Sequence, residues 1–112
     1  MKRLIYKLQN KFFRTSGNDI NYTMLQKIMR ENRDAVLIDV RTKEEYRDTH
    51  IEGAINIPMQ EISQKISRYV KNKNDIIIVY CQYGGRSKKV MGWLNKMGFQ
   101  NVYNLAGGIE SI

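Results

Sequence analysis

Cysteine occurs once in these 112 residues, and so do histidine and proline. A lone thiol cannot close an internal disulfide, and with one histidine it cannot complete a Cys/His zinc site. No apolar run approaches the roughly 20 residues of a membrane-spanning helix. The opening Met1-Lys-Arg-Leu-Ile-Tyr6 lacks the apolar core and small-residue cleavage site of a secretory signal, so a cytoplasmic location is expected. Acidic side chains are also scarce, 11 against 19 Lys and Arg, which leaves a net charge of +8. The excess is uneven: residues 1–34 carry +5, residues 35–70 carry −1 and residues 71–112 carry +4. Such a surface suits nucleic acid, an acidic partner or a small anion drawn to a positive cleft. Aromatic–basic interleaving and a helix-turn-helix pattern are both missing, so no nucleic-acid partner is expected. A lysine-rich solvated surface is the preferred reading of the charge.

The length allows one domain with its own core. Its organising stretch is Ile76-Ile-Ile-Val-Tyr80 running into Cys81-Gln-Tyr-Gly-Gly-Arg-Ser87. Five apolar residues, mostly β-branched, read as a strand buried on both faces, as in a parallel sheet. Ser87 is expected to cap a helix over Lys88 to Met97, whose Val90, Met91, Leu94 and Met97 have helical spacing. The lone thiol therefore falls in a short loop between a buried strand and a helix N-terminus. Backbone N–H groups and the positive end of the helix dipole converge there, which favours a thiolate and any anion attached to it. Arg86, Lys88 and Lys89 are expected to add positive charge.

Residues 1–18 form a basic lead-in, and residues 19–112 the domain. In the lead-in, Leu4, Leu8 and Phe12 have helical spacing, so residues 1–14 could contact an anionic membrane surface. Packing on the domain or fraying is the favoured alternative. Within the domain, Thr23 and Gln26 read as a capping box for a helix with Leu25, Ile28 and Met29 on one face. Val36 to Val40 reads as a strand, and Thr42 with Glu45 as a second capping box opening a helix to about Asp48. Ala54 to Ile57 is a short strand closed by Pro58. Glu61 to Val70 is helical, with Ile62, Ile66, Tyr69 and Val70 inward. Gly98 ends the Lys88–Met97 helix, Asn101 to Leu105 is a last strand, and Gly107-Gly108 a final turn. Alternating strands and helices imply a parallel sheet covered on both faces, with its working site at the carboxyl ends of the strands.

Four fragments resemble the single-domain rhodanese (sulfurtransferase) family: Leu37-Ile-Asp-Val-Arg-Thr-Lys-Glu-Glu-Tyr46, His50-Ile-Glu-Gly-Ala-Ile-Asn-Ile-Pro58, Val79 through Ser87, and Gly98-Phe99 with Leu105-Ala-Gly-Gly108. They stand in the family's order over nearly all of residues 20–110. The resemblance implies a three-layer α/β/α fold with a five-stranded parallel sheet. It also implies a catalytic cysteine that carries a persulfide, without a cofactor. Cys81 falls on the family's nucleophile, and Gln82, Tyr83, Gly84, Gly85 and Arg86 on its active-site loop, which Ser87 closes. The implied partners are a small sulfur donor, thiosulfate or a persulfide, and a thiol, cyanide or sulfur-accepting protein. Two departures stand out. Thr49-His-Ile-Glu-Gly-Ala54 replaces the usual Gly-His-Ile-Pro-Gly-Ala, and no tryptophan follows Gly107-Gly108. Neither is expected to touch the thiol loop.

Each loop residue has an expected role. Gly84 and Gly85 let the backbone curl around the sulfur. Gln82 and Tyr83 face the cleft mouth, and Arg86 binds the donor's anionic end in preference to a structural carboxylate. Asp39 and Arg41 are scaffold at the neighbouring strand end, with Asp39 accepting hydrogen bonds and Glu45 within range of Arg41. His50 is structural, because a thiolate attacking sulfur needs no base. Two other readings compete. A sulfur-relay carrier loaded by a partner protein would need the same loop. A phosphatase or arsenate reductase has Cys-x5-Arg, whereas Cys81 and Arg86 give Cys-x4-Arg, one residue short.

Overall fold

The computed structural model describes residues 18–112. The expectations for the lead-in, including membrane contact by residues 1–14, lie outside the described residues, Asn18 excepted. Asn18 already belongs to the fold: its Nδ2 donates to the Val102 carbonyl at 2.7 Å and its own carbonyl accepts from Asn104 N at 2.9 Å. No helix among the described residues is long and apolar enough to cross a membrane.

Five parallel strands, β1 (Asp19–Ile20), β2 (Val36–Asp39), β3 (Ile55–Asn56), β4 (Ile76–Tyr80) and β5 (Asn101–Leu105), lie in the order β1-β5-β4-β2-β3. The helices are α1 (Tyr22–Glu31), α2 (Lys43–Asp48), α3 (Ile62–Tyr69) and α4 (Gly85–Lys96). Every residue of β4 is buried, as the unbroken apolar run requires of a strand flanked on both edges. Side chains alternate across it. Ile77, Val79 and Cys81 face one apolar cluster with Ile62, Ile66, Val90 and Leu94 of α3 and α4. Ile76, Ile78 and Tyr80 face the other, with Leu25 and Ile28 of α1. The architecture is therefore three layers, α/β/α, as expected.

Four local expectations are corrected. The cap of α1 is Asn21, whose side chain accepts from Met24 N at 2.8 Å, and not Thr23, which lies inside the helix. Tyr69, placed inward by helical spacing, is 44% exposed at the last position of α3. Helix α4 starts at Gly85, three residues earlier than expected, with Gly84 as its cap. Ser87 is therefore inside the first turn and fully buried. The Thr42–Glu45 capping box is present as read, with both reciprocal hydrogen bonds.

Candidate active site

Cys81 follows the carboxyl end of β4, and its side chain is held under the first turn of α4. Gly84 turns the chain with φ 108°, a conformation that costs a residue bearing Cβ. Gly85 has no such constraint: a Cβ there meets nothing within 4 Å, so the curl of the loop depends on Gly84 alone. The turn brings three donors onto the sulfur: Gly84 N at 3.1 Å, Ser87 N at 3.3 Å and Ser87 Oγ at 3.3 Å. Only 1% of Cys81 is exposed. Burial pushes the thiol up, but the Ser87 hydroxyl and the N–H groups of Ser87, Gly84 and Tyr83 outweigh it, leaving its pKa lowered.

The cations do less than the sequence suggested. Arg86 forms a two-pronged ion pair with Glu45, Nη1 to Oε1 at 2.9 Å and Nη2 to Oε2 at 3.0 Å, so its fork is engaged by a structural carboxylate. Lys88 leans toward Asp19 at 3.7 Å. Glu45 therefore pairs with Arg86 rather than Arg41, and ties the cap of α2 to the first turn of α4. Hydrogen bonds from Arg86 hold the Glu45 carboxyl at about 2, against the opposing effect of burial and with help from Thr42. Its folded value lies below the ordinary 4.5, so the contribution to stability is present above that pH and lost as pH falls toward 2. With the two side chains 37% and 32% exposed, solvent screening reduces it to about 1 kcal/mol. Glu45→Gln keeps the capping box but not the charge. It should be less stable than the parent by that amount at neutral pH, with the gap closing in acid denaturation curves between pH 4.5 and 2. A gap that persists at the acid end would rule out the ion pair as its source.

Asp39 and Arg41 form a buried pair, Nη2 to Oδ2 at 2.8 Å with Nε also donating to the carboxylate. Asp39 accepts from Arg41, as expected. Burial pushes the neighbouring Tyr80 phenol well above its ordinary pKa, and its oxygen accepts from Ile51 N at 3.0 Å. Arg41 also donates to the Thr49 carbonyl at 2.6 Å and to Gln82 Oε1 at 2.9 Å, so the pair reaches the thiol loop. Arg41→Met would leave Asp39, fully buried, without its cation, and should cost about 3 kcal/mol in chemical denaturation. A loss below about 1 kcal/mol would mean that water or another donor replaces the guanidinium.

Gln82 stands at the loop's edge, between Arg41 and Glu110, to which its Nε2 donates. Tyr83, two residues after the thiol, is 74% exposed. His50 is structural: Nδ1 lies 2.7 Å from the Tyr46 carbonyl, and its ring stacks on Tyr46 with centroids 3.8 Å apart.

The C-terminal departure does touch the thiol loop, contrary to expectation. Ile109 N donates to the Cys81 carbonyl at 2.9 Å and Glu110 N to the Gln82 carbonyl at 3.1 Å. Gly108 lies against those same peptides. At the other departure, the Thr49 carbonyl accepts from Arg41 and not from the loop itself. A further residue escaped sequence reading: Asn104, buried in β5, accepts from Ser87 Oγ at 2.5 Å. A polar side chain inside an apolar strand was the available signal. A cleft of about 390 Å³ beside the loop is lined by Gln82, Glu110 and His50 but not by Cys81.

Fold and site together define a small parallel α/β protein whose one thiol sits in an anion cradle between strand and helix. The chain belongs to the rhodanese-like domain family, whose profile matches residues 22–112. It is 44% identical over 75 residues to the thiosulfate sulfurtransferase PspE of Escherichia coli (strain K12), covering 67% of this chain and 71% of that protein. A tRNA uridine(34) hydroxylase from Buchnera aphidicola is 39% identical over 98 residues. That match takes in 84% of this chain but 30% of the hydroxylase. Among solved structures, a rhodanese-like domain protein from Staphylococcus aureus is similar with a TM-score of 0.74 and 32% identity, covering 85% of this chain and 90% of that one.

Proposed function

We propose that this chain is a sulfurtransferase that carries a sulfane sulfur on Cys81 as a persulfide. The observation that carries the reading is the convergence of three hydrogen-bond donors on one sulfur at the start of a twelve-residue helix. The Cys81 thiolate attacks the outer sulfur of thiosulfate; the S–S bond of the donor breaks, and sulfite leaves with the electron pair. The outer sulfur of the new persulfide bears the negative charge, which the preorganised N–H groups and the helix dipole stabilise. An acceptor thiolate then attacks that outer sulfur, takes it as its own persulfide and returns Cys81 as thiolate. The cycle is ping-pong. With no second cysteine in the sequence, sulfur leaves only to another molecule. The cytoplasm suits such an unpaired thiol, because it is kept reduced there.

The similarity to PspE supports thiosulfate as donor. Oxyanion-ester chemistry fits poorly, since Glu45 occupies the arginine that would close around a tetrahedral anion. Exposure of Tyr83 beside the thiol favours a second reading, in which the sulfur is handed to or from a protein docking on that ring. Intact-mass spectrometry after thiosulfate treatment tests the proposal: a gain of one sulfur, removed by reductant and absent in Cys81→Ala, is expected. An unchanged mass would overturn thiosulfate loading. Saturation by free thiosulfate separates the enzyme from a relay protein charged only by its partner.

A further inference from the structure

Ser87 has one hydroxyl proton and three acceptors around it. Asn104 Oδ1 lies at 2.5 Å, the Gly84 carbonyl at 3.2 Å and Cys81 Sγ at 3.3 Å. One proton makes one strong hydrogen bond, so these acceptors compete. The orientation of Asn104 follows from its other partner: its Nδ2 donates to Asp19 Oδ1 at 3.1 Å, and a carboxylate only accepts. The amide oxygen is therefore locked toward Ser87 as a pure acceptor. Its bond to Ser87 is the shortest of the three, and both of these residues are buried between β5, β4 and α4.

We propose that Asn104 is a positioning residue that withdraws the Ser87 proton from the Cys81 sulfur and returns it when the sulfur becomes an anion. With the proton held by Asn104, the Ser87 oxygen turns a lone pair toward Sγ and accepts from the neutral thiol. When Cys81 ionises, the hydroxyl rotates and donates to the thiolate instead. In the persulfide the charge moves to the outer sulfur, Sγ becomes neutral, and Asn104 takes the hydroxyl back. Rotation about one side-chain bond thus follows the charge through the cycle: the Ser87 proton stays on its oxygen, while the thiol proton released when Cys81 ionises passes to solvent. Asp19 and Asn104 were not singled out by their positions in the sequence; β1 and β5 bring them together through parallel pairing, with Asp19 opposite Asn104.

The inference rests on the reading of Cys81 as the reactive thiol, so its test measures ionisation without any sulfur donor. Failure of sulfur loading leaves this test intact, and the reverse holds too. The β-carbon chemical shift of the chain's only cysteine, followed against pH, reports thiol and thiolate directly. Asn104→Leu keeps a similar volume, removes the competing acceptor and leaves Ser87 with two remaining acceptors, so no hydroxyl is orphaned. Below the titration midpoint it should raise the thiolate fraction about threefold, since a hydrogen bond wholly given to the anion favours it. In a Ser87→Ala background, where the thiolate fraction is lower from the outset, the same leucine substitution should change nothing.

A fall in thiolate fraction, no change, or an equal rise in both backgrounds would overturn the inference. Should the leucine variant not give a cooperative unfolding transition, Asp19→Ala provides the same test. Freed from Asp19, the amide can present Nδ2 to Ser87, which then must donate elsewhere, and the thiolate fraction should again rise. No rise in that variant overturns the inference as well.

Discussion

Cys81→Ser is expected to fold like the parent and to lose sulfur transfer by about 10⁴-fold or more, the scale on which removal of a nucleophile is felt. The smaller oxygen meets the same donors, Gly84 N, Ser87 N and Ser87 Oγ, so the cradle has no reason to collapse. What it loses is ionisation. The hydrogen bonds that bring the thiol below its ordinary value against the push of burial act on a group whose free value, about 8.5, is far below that of an alcohol. The same bonds cannot bring an alcohol within reach of that range. Oxygen would remain protonated and hard, and it would not open the S–S bond of a donor. Sulfite release measured against thiosulfate concentration, alongside the denaturation midpoint, separates chemistry from folding. Retention of more than about a hundredth of the parent rate would place the transferred sulfur elsewhere than on residue 81.

The thiol loop was legible because its determinants are local. A β-branched run, a cysteine and a pair of glycines before a helical period occupy twelve consecutive positions, and burial on both faces follows from the run itself. The shortfalls arise where partners are distant or patterns are degenerate. β1 is two residues long and carries no period; its pairing with β5, 85 positions away in sequence, defines it. Asn21 and Thr23 both satisfy the rules for a helix cap, and the extended backbone at Asn21 decides between them. Ser87 looked like a cap for the same reason, until the left-handed turn at Gly84 moved the helix start back and carried the hydroxyl under the sulfur. Arg86 reads locally as a ligand for the donor because its carboxylate partner, Glu45, lies 41 positions earlier.

The loop is also braced from a direction that no local pattern indicated, and this changes how its chemistry is understood. A short peptide between β4 and α4 must hold several N–H groups aimed at one atom, and rigidity there substitutes for reorganisation during transfer. Arg41 fixes the Gln82 side chain from the β2 side. The Leu105–Ile112 segment fixes the Cys81 and Gln82 carbonyls from the β5 side, through Ile109 N and Glu110 N. The Ser87–Asn104 bond fixes the floor. The donors at the sulfur are thus held from both neighbouring strands, β2 and β5, rather than by the loop alone.

Gly108→Ala tests that bracing with the largest expected stability effect. Gly108 has φ 66°, and a Cβ built there would lie 2.3 Å from the Gln82 carbonyl oxygen, 2.4 Å from its carbon and 2.5 Å from the Cys81 oxygen. All three are backbone atoms, so no side-chain rotation relieves the overlap. Gly53, with φ 89° and nothing within 4 Å of its Cβ, isolates the conformational cost, which should be about 1 kcal/mol for alanine. Gly108→Ala adds displacement of either the C-terminal turn or the thiol loop, with loss of the Ile109 and Glu110 hydrogen bonds, and should cost about 4 kcal/mol or more. Parallel chemical denaturation of the two variants reads the difference. If the turn yields, the protein stays folded but the loop loses its support, and sulfur loading of Cys81 falls with stability. Equal costs for the two variants would mean that residues 107–112 move aside freely, and that the cradle is held by α4 and β4 without them.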